Sequence, residues 1–140
     1  MMHETLSFKT DPKELKHIEH SLKSIFRKAG LSKVQMHDIL VSTTEAISNA
    51  MQHGNKNNPN KTVGVTVDSN TNVVTVTVED EGEGFEPSQV PNPVLPENLL
   101  KPTGRGIHIM KSLMDSVDFQ FTPHGTKAIL KMRIKKTKKA

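Results

Sequence analysis

Apolar positions along this chain change period several times, and the changes divide it into elements. Leu6 and Phe8 alternate with Ser7 and Lys9, which predicts a short first strand. Asp11-Pro12 then opens a helix, with Asp11 as N-cap and Pro12 at the first helical position. Leu15, Ile18, Leu22, Ile25, Phe26 and Ala29 form its apolar face, and Gly30 ends it. Ser32-x-x-Gln35 reads as a capping box for a second, central helix that runs to about His53 and stops at Gly54. Val63, Val65 and Val67, then Val74, Val76 and Val78, alternate as two strands joined by a turn over Asp68 to Asn72. Past Gly104 come a short helix with Ile107, Met110, Leu113 and Met114 on its core face, a strand through Val117, Phe119 and Phe121, and a last strand from Thr126 to Ile134. Each strand has one apolar face. The expected fold is therefore α+β: a two-layer sandwich with helices on one face of a mixed, mostly antiparallel sheet.

The central helix is the informative element. At about 100° per residue, Asn49 falls beside Glu45, with Asp38, Gln52 and, less closely, His53 on the same side. Met36, Ile39, Thr43, Ala46, Ile47, Ala50 and Met51 make the other face. Taken alone, the Glu45/Asn49 face could meet water or a ligand. Two further stretches bear on that choice. Asp80-Glu81-Gly82-Glu83-Gly84-Phe85 is an acidic, glycine-rich turn directly after a strand, and Thr103-Gly104-Arg105-Gly106 leads into the third helix. Between them lies a segment from Pro87 to Thr103 with prolines at 87, 91, 93, 96 and 102 and little periodicity, the character of a binding loop or lid.

Composition narrows the chemistry. The 140 residues suffice for one domain with a real core, which must be mainly aliphatic because the chain has five Phe and no Tyr or Trp. Without cysteine there is neither disulfide nor thiolate metal site. No apolar run reaches membrane-spanning length, so a soluble cytoplasmic protein is expected. The net charge of +4 is concentrated at Lys127, Lys131, Arg133, Lys135, Lys136, Lys138 and Lys139. No aromatic platform or recognition-helix pattern accompanies that charge, so direct nucleic-acid binding is not expected. His17 and His20 have a spacing that could bind a metal, but no matching ligands stand near them in sequence.

Glycines at a helix start expose backbone N–H groups, and the helix dipole with Arg105 makes the Gly104–Gly106 stretch an anion site. A carboxylate fixed in a tight turn, as at Asp80, can accept a hydrogen bond from an amino group. An adenine nucleotide satisfies both. No G-x-x-x-x-G-K-[ST] loop is present, which excludes an ordinary P-loop.

In their order and combination these motifs resemble the Bergerat-fold ATPases, a superfamily that includes gyrase, heat-shock chaperones and histidine kinases. The resemblance is strongest to the bacterial anti-sigma factor serine kinases and related anti-sigma regulators. Glu45 to Gly54 resembles their N box, Asp80 to Pro87 the first glycine box, Gly104 to Ile107 the second, and Gly125-Thr126 the late Gly-Thr pair. It implies one ATP-binding kinase domain over residues 1–135 with a basic tail at 136–140. It implies that Glu45 is the general base and Arg105 neutralises the transferring phosphoryl group. Asn49 would hold Mg²⁺, Asp80 would accept from the adenine amine, and Thr126 would support that end. His53, Gly82, Gly84, Phe85, Thr103, Gly104, Gly106 and Ile107 complete the implied nucleotide site, with Pro87–Thr103 as lid. The implied partners are a sigma factor and a STAS-type anti-anti-sigma protein, and the implied assembly is a homodimer. A non-catalytic ATP-binding regulator and a detached histidine-kinase catalytic domain are the alternatives. The retained pair Glu45 and Arg105 favours the kinase.

Overall fold

The computed structural model describes residues 1–82 and 104–135, the side chain of Arg105 excepted. Gly84, Phe85, Thr103, the proposed lid and the tail at 136–140 lie outside the described residues.

Strand β1 spans Met2–Lys9, longer than the two apolar positions suggested, and alternates half-buried and exposed along its length. Asp11 caps the next element as expected, its carboxylate accepting from the Lys13 backbone N–H, but the first turn, Pro12–Glu14, is a 3-10 helix. Helix α1 follows at Leu15–Arg27 and buries Ile18, Leu22, Ile25 and Phe26. Gly30, at φ +78, takes the left-handed conformation after it, which costs glycine little.

Helix α2, Lys33–Asn49, starts on the complete Ser32/Gln35 capping box. Gln35 does more than cap. Its Nε2 donates to the Arg133 carbonyl at 2.6 Å and its Oε1 accepts from Lys135 N at 3.2 Å, so it ties the helix start to the far end of the sheet. At its other end α2 does not simply stop at Gly54. Residues Ala50–Gly54 form a π-helical turn, wider by one residue, closed by Asn55 N to Ala50 O at 2.8 Å. Such turns concentrate at functional sites.

Strands β2 (Thr62–Ser69) and β3 (Val73–Glu79) form the expected hairpin. Asn70 shapes its turn, Oδ1 accepting from Asn72 N and Val73 N. Helix α3 (Gly104–Leu113) and strands β4 (Ser116–Thr122) and β5 (Gly125–Arg133) complete the described elements. The sheet order is β1-β2-β3-β5-β4, and every pairing is antiparallel. The expected mixed, mostly antiparallel sheet is thus antiparallel throughout the described residues.

Register explains the core. Val65 pairs Val78, Val67 pairs Val76, Val76 pairs Leu130 and Val78 pairs Ala128, so one face presents a continuous aliphatic surface. Ile18, Leu22 and Phe26 from α1, Ile39, Ile47 and Met51 from α2 and its π turn, and Ile107 and Met110 from α3 join these strand residues in one buried cluster. Each such side chain contributes roughly 1.5–3 kcal/mol on burial. This anchors α2, and with it the face carrying Glu45 and Asn49. His17 and His20 are exposed, and among the described residues no cluster of three or more His, Cys, Asp or Glu could hold a metal alone. No described helix is long and apolar enough to cross a membrane.

Candidate functional site

The polar face of α2 looks toward α3 and the adjoining end of β3 and β5. Asn49 is buried, and its Nδ2 has no hydrogen-bond partner. An unpaired buried amide costs about 1–3 kcal/mol, so the site holds an unmet polar demand. Gly106 sits directly against this pair. A Cβ there would lie 2.7 Å from Glu45 Oε2 and 3.8 Å from Asn49 Nδ2. The two polar residues of the helix therefore face the glycine-rich start of α3, and Gly106 permits that approach. Gln52, which shares the helix side by periodicity, is exposed and donates to Ser48 Oγ; it is not brought in.

At the other end Asp80 follows β3. Its backbone N–H donates to Thr126 O, and its Oδ1 accepts from Thr126 N and from Gly82 N, each at 3.0 Å. A Cβ on Gly54 would overlap the Asp80 carboxylate, one on Gly82 the Gly54 carbonyl, and one on Gly125 the Asp80 carbonyl. Gly125 also has φ +152, which other residues rarely adopt. Gly54 thus ends the helix and also leaves space for a carboxylate. Burial pushes the Asp80 pKa above the ordinary 3.8, in spite of the Gly82 and Thr126 N–H groups and the nearby Lys61 charge, which favour the ionised form.

Between these ends lies a cleft lined by Ala46, Asn49, Ala50, Gly54, Val78, Asp80, Phe119, Thr126 and Ala128. Its cavity is about 30 Å³, room for roughly one water, so a bound ring would have to displace a wall. Walls of small aliphatic residues with one aromatic and one carboxylate suit a flat, amine-bearing ring. The alternation in β3, β4 and β5 had put Val78, Phe119 and Ala128 on the core face, without showing that this face opens into a cleft.

Other expected positions fare differently. His53 is half-buried at the end of the π turn and does not line the cleft. The Ile107 side chain is fully buried in the core, so only its backbone could face a ligand. Gly104 begins α3. Gly84, Phe85, Thr103 and the Arg105 side chain lie outside the described residues. Asn55 was expected only as part of a polar connector, yet it is 1 % exposed and hydrogen-bonded at both ends of its amide. Nothing distinguishes it in sequence from Asn57, Asn58 and Asn60; the close of the helix one residue earlier is the sole pointer.

The donor set also bears on Mg²⁺. The Asn49 carboxamide oxygen and the Glu45 carboxylate beside Gly106 are both hard oxygen sources, and among the described residues there is no all-protein cage. That fits an ion bound through one or two side chains with phosphates supplying the rest.

A family model for the histidine kinase-like ATPase domain matches residues 8–133. Among curated proteins, the chain is 36% identical over 109 residues to the anti-sigma F factor of Geobacillus kaustophilus, covering 74% of this chain and 73% of that one. It is 27% identical over 121 residues to the serine-protein kinase RsbW of Staphylococcus aureus, covering 81% and 76%. Among solved structures, the RsbU and RsbW domains from Mycobacterium tuberculosis superpose with TM-score 0.66 at 14% identity, over 96% of this chain and 32% of that one. This chain spans about a third of that structure, and the likeness speaks for the fold. With the fold, the motif residues and the profile match in agreement over nearly its whole length, the chain belongs to the histidine kinase-like ATPase domain family.

Proposed function

We propose that this protein is an anti-sigma factor serine kinase: it binds Mg-ATP, sequesters a sigma factor, and phosphorylates a serine on a STAS-type anti-anti-sigma protein. The observation that carries the reading is the convergence of Glu45, Asn49 and Gly106 beside a cleft that Asn49 and Asp80 both line. The similarity to proteins named anti-sigma F factor and serine-protein kinase supports it. On this reading the protein is cytoplasmic and works as a homodimer. Residues 1–135 are the ATP-binding domain, and the tail at 136–140 takes no part in nucleotide binding.

Asp80 accepts a hydrogen bond from the exocyclic amine of adenine. Guanine carries a carbonyl oxygen at that position, which would leave two acceptors facing each other, and sites built on such polar matching discriminate by factors of about 10⁴. Asn49 would hold Mg²⁺ through its amide oxygen, and the ion would supply neutralisation of phosphate charge. Glu45 takes the proton of the partner's serine as its Oγ bonds to the γ-phosphorus. The bond from that phosphorus to the β–γ bridging oxygen breaks, and its electron pair leaves with ADP. Arg105 offsets charge on the transferring group, while the N–H groups at the start of α3 serve the phosphates.

Incubation with γ-labelled ATP in extract from the native cell, followed by capture and mass spectrometry, tests this. Wild type should label a serine on a captured partner. Glu45→Gln should lower labelling by about 10²–10⁴-fold, the usual worth of a general base, with ATP binding kept. Binding of ATP without transfer by wild type would instead assign a non-catalytic ATP-binding regulator. Unchanged transfer in the variant would remove Glu45 as the base.

A further inference from the structure

We infer that Asn55 is a positioning residue for nucleotide selectivity: it fixes the backbone that aims the Asp80 carboxylate, and so helps set the preference for ATP over GTP. The inference rests on the reading of Asp80 as acceptor for the adenine amine.

Asn55 joins three segments far apart in sequence. Its Nδ2 donates to Thr10 Oγ1 at 2.8 Å and to the Thr62 carbonyl at 2.9 Å, while its Oδ1 accepts from Glu81 N at 2.7 Å. Its own N–H closes the π turn on Ala50 O. These contacts fix which end of the amide points where. A backbone N–H only donates and a carbonyl only accepts, so Oδ1 must face Glu81 and Nδ2 must face Thr62. Thr10 adds to the constraint, because its hydroxyl already donates to Lys61 O at 2.7 Å and meets Asn55 as an acceptor. Both amide protons and the carbonyl oxygen of Asn55 are thus committed.

The residue held by Oδ1 is the one after Asp80. The peptide joining Asp80 to Glu81 is gripped on both edges. Gly125 packs against its carbonyl oxygen, and Asn55 accepts from its N–H. With that plane fixed, the bonds from Gly82 N and Thr126 N hold Asp80 Oδ1, and Oδ2 lies beside Gly54. The π turn supplies the geometry. One extra residue in the last turn brings Gly54 against the carboxylate and Asn55 behind its backbone. The Asn55 side chain bonds only Thr10, Thr62 and Glu81, none of which lines the cleft, so its effect on selectivity acts through Asp80.

Asparagine is specifically required. Aspartate has the same shape but no donor, so one of its oxygens would face the Thr62 carbonyl in a buried site, with a new charge behind Asp80. Serine keeps a donor and an acceptor but is too short to bridge all three partners.

The test measures ATP and GTP affinities by displacement of a fluorescent ATP analogue, together with urea unfolding, in the full chain. Asn55→Asp should lower the ATP-to-GTP affinity ratio by about tenfold or more, the scale of one polar contact misplaced in such a site. Asn55→Ser serves the same purpose if Asn55→Asp does not fold. Thr10→Val removes one bond of the hub yet spares the bond to Glu81; it should lower the unfolding midpoint and leave the ratio unchanged. Asp80→Asn, measured in parallel, reports on the underlying reading. If it lowers the ratio while folded Asn55 variants do not, the role of Asn55 is overturned and that of Asp80 stands. A ratio that falls equally in Thr10→Val overturns it too, because general loosening would then suffice. Loss of cooperative unfolding in both Asn55 variants assigns the residue to the scaffold alone, which also overturns it. If Asp80→Asn leaves the ratio unchanged, the adenine reading fails and this inference falls with it.

Discussion

The two ends of the cleft are built on opposite terms. Around Asp80 the constraints are many and mostly backbone ones: two N–H groups on Oδ1, a bond from Asp80 N to Thr126 O, and Gly54, Gly82 and Gly125 packed too closely for any Cβ, with the Asn55 side chain holding the next N–H. Around Glu45 and Asn49 the constraints are few. Among the described residues the Glu45 carboxylate makes no hydrogen bond or ion pair, and Asn49 Nδ2 is buried and unpaired. The contact that Gly106 makes is with the end of a flexible carboxylate. A rigid end suits recognition of a ring whose edge does not change. An end with an unmet N–H donor suits phosphate oxygens, which accept from it on arrival and whose charge shifts during transfer. The buried amide is a cost to the free protein that ligand binding would recover.

Gly125→Ala should break the rigid end most severely. The new Cβ would overlap the Asp80 carbonyl, a backbone atom that cannot swing aside, and φ +152 would be strained for alanine. Overpacking of this kind costs about 1–3 kcal/mol, with positive-φ strain adding a similar amount. A lower urea midpoint together with weakened ATP binding is the expected result. An unaltered midpoint would show that this end yields more readily than its packing implies.

Acidification sharpens the same end without a mutation. Because burial raises the Asp80 pKa above 3.8 in the folded chain, the folded state holds more protons than the unfolded between those two pKa values. Stability contributed by Asp80 therefore falls as pH rises through that window, and it is restored below it. ATP affinity moves the other way, since protonation removes the ionised acceptor. A hydrogen bond to a charged group is worth about 1.5–3 kcal/mol, so full protonation should weaken ATP by about ten- to a hundredfold. Calorimetric titration of wild type and Asp80→Asn at descending pH checks it. Protonation of the nucleotide affects both proteins alike, and the difference between them isolates Asp80. Parallel pH profiles would remove the carboxylate from recognition.

How far the sequence disclosed this contrast depends on the kind of signal. Period-2 valines and a helical stripe give the layers, because burial of a face repeats along each element, and the Ser32/Gln35 box is local. Asp80 and Gly82 stand out as a turn after a strand. The function of Gln35 as a tie to Arg133 and Lys135, and of Asn55 as a hub for Thr10, Thr62 and Glu81, rests on single bonds between distant segments. Such bonds leave no period. The asparagines from 55 to 60 look alike as turn formers until the π turn buries the first of them. The apolar residues lining the cleft, such as Ala46, Val78, Phe119 and Ala128, were legible as core and illegible as a cavity, since alternation tells which face is covered and not where the cover stops.

Gly106→Ala is the gentlest break and the one that separates the two ends most cleanly. Its Cβ would fall 2.7 Å from Glu45 Oε2, but the atom it meets is the tip of a rotatable side chain that can turn away. Alanine is also favoured over glycine within a helix by about 1 kcal/mol, and Gly106 lies inside α3. The cost of contact and the gain in propensity nearly cancel, so the unfolding midpoint should change by no more than the equivalent of about 1 kcal/mol, far less than in Gly125→Ala. The carboxylate, however, would be pushed from its place beside Asn49. Phosphoryl transfer should then fall while stability holds. The same small side chain would unfold one end of the cleft and only misdirect the other. A large loss of stability in Gly106→Ala would mean that Glu45 is fixed as firmly as Asp80, and that the two ends do not differ in the way their hydrogen bonding indicates.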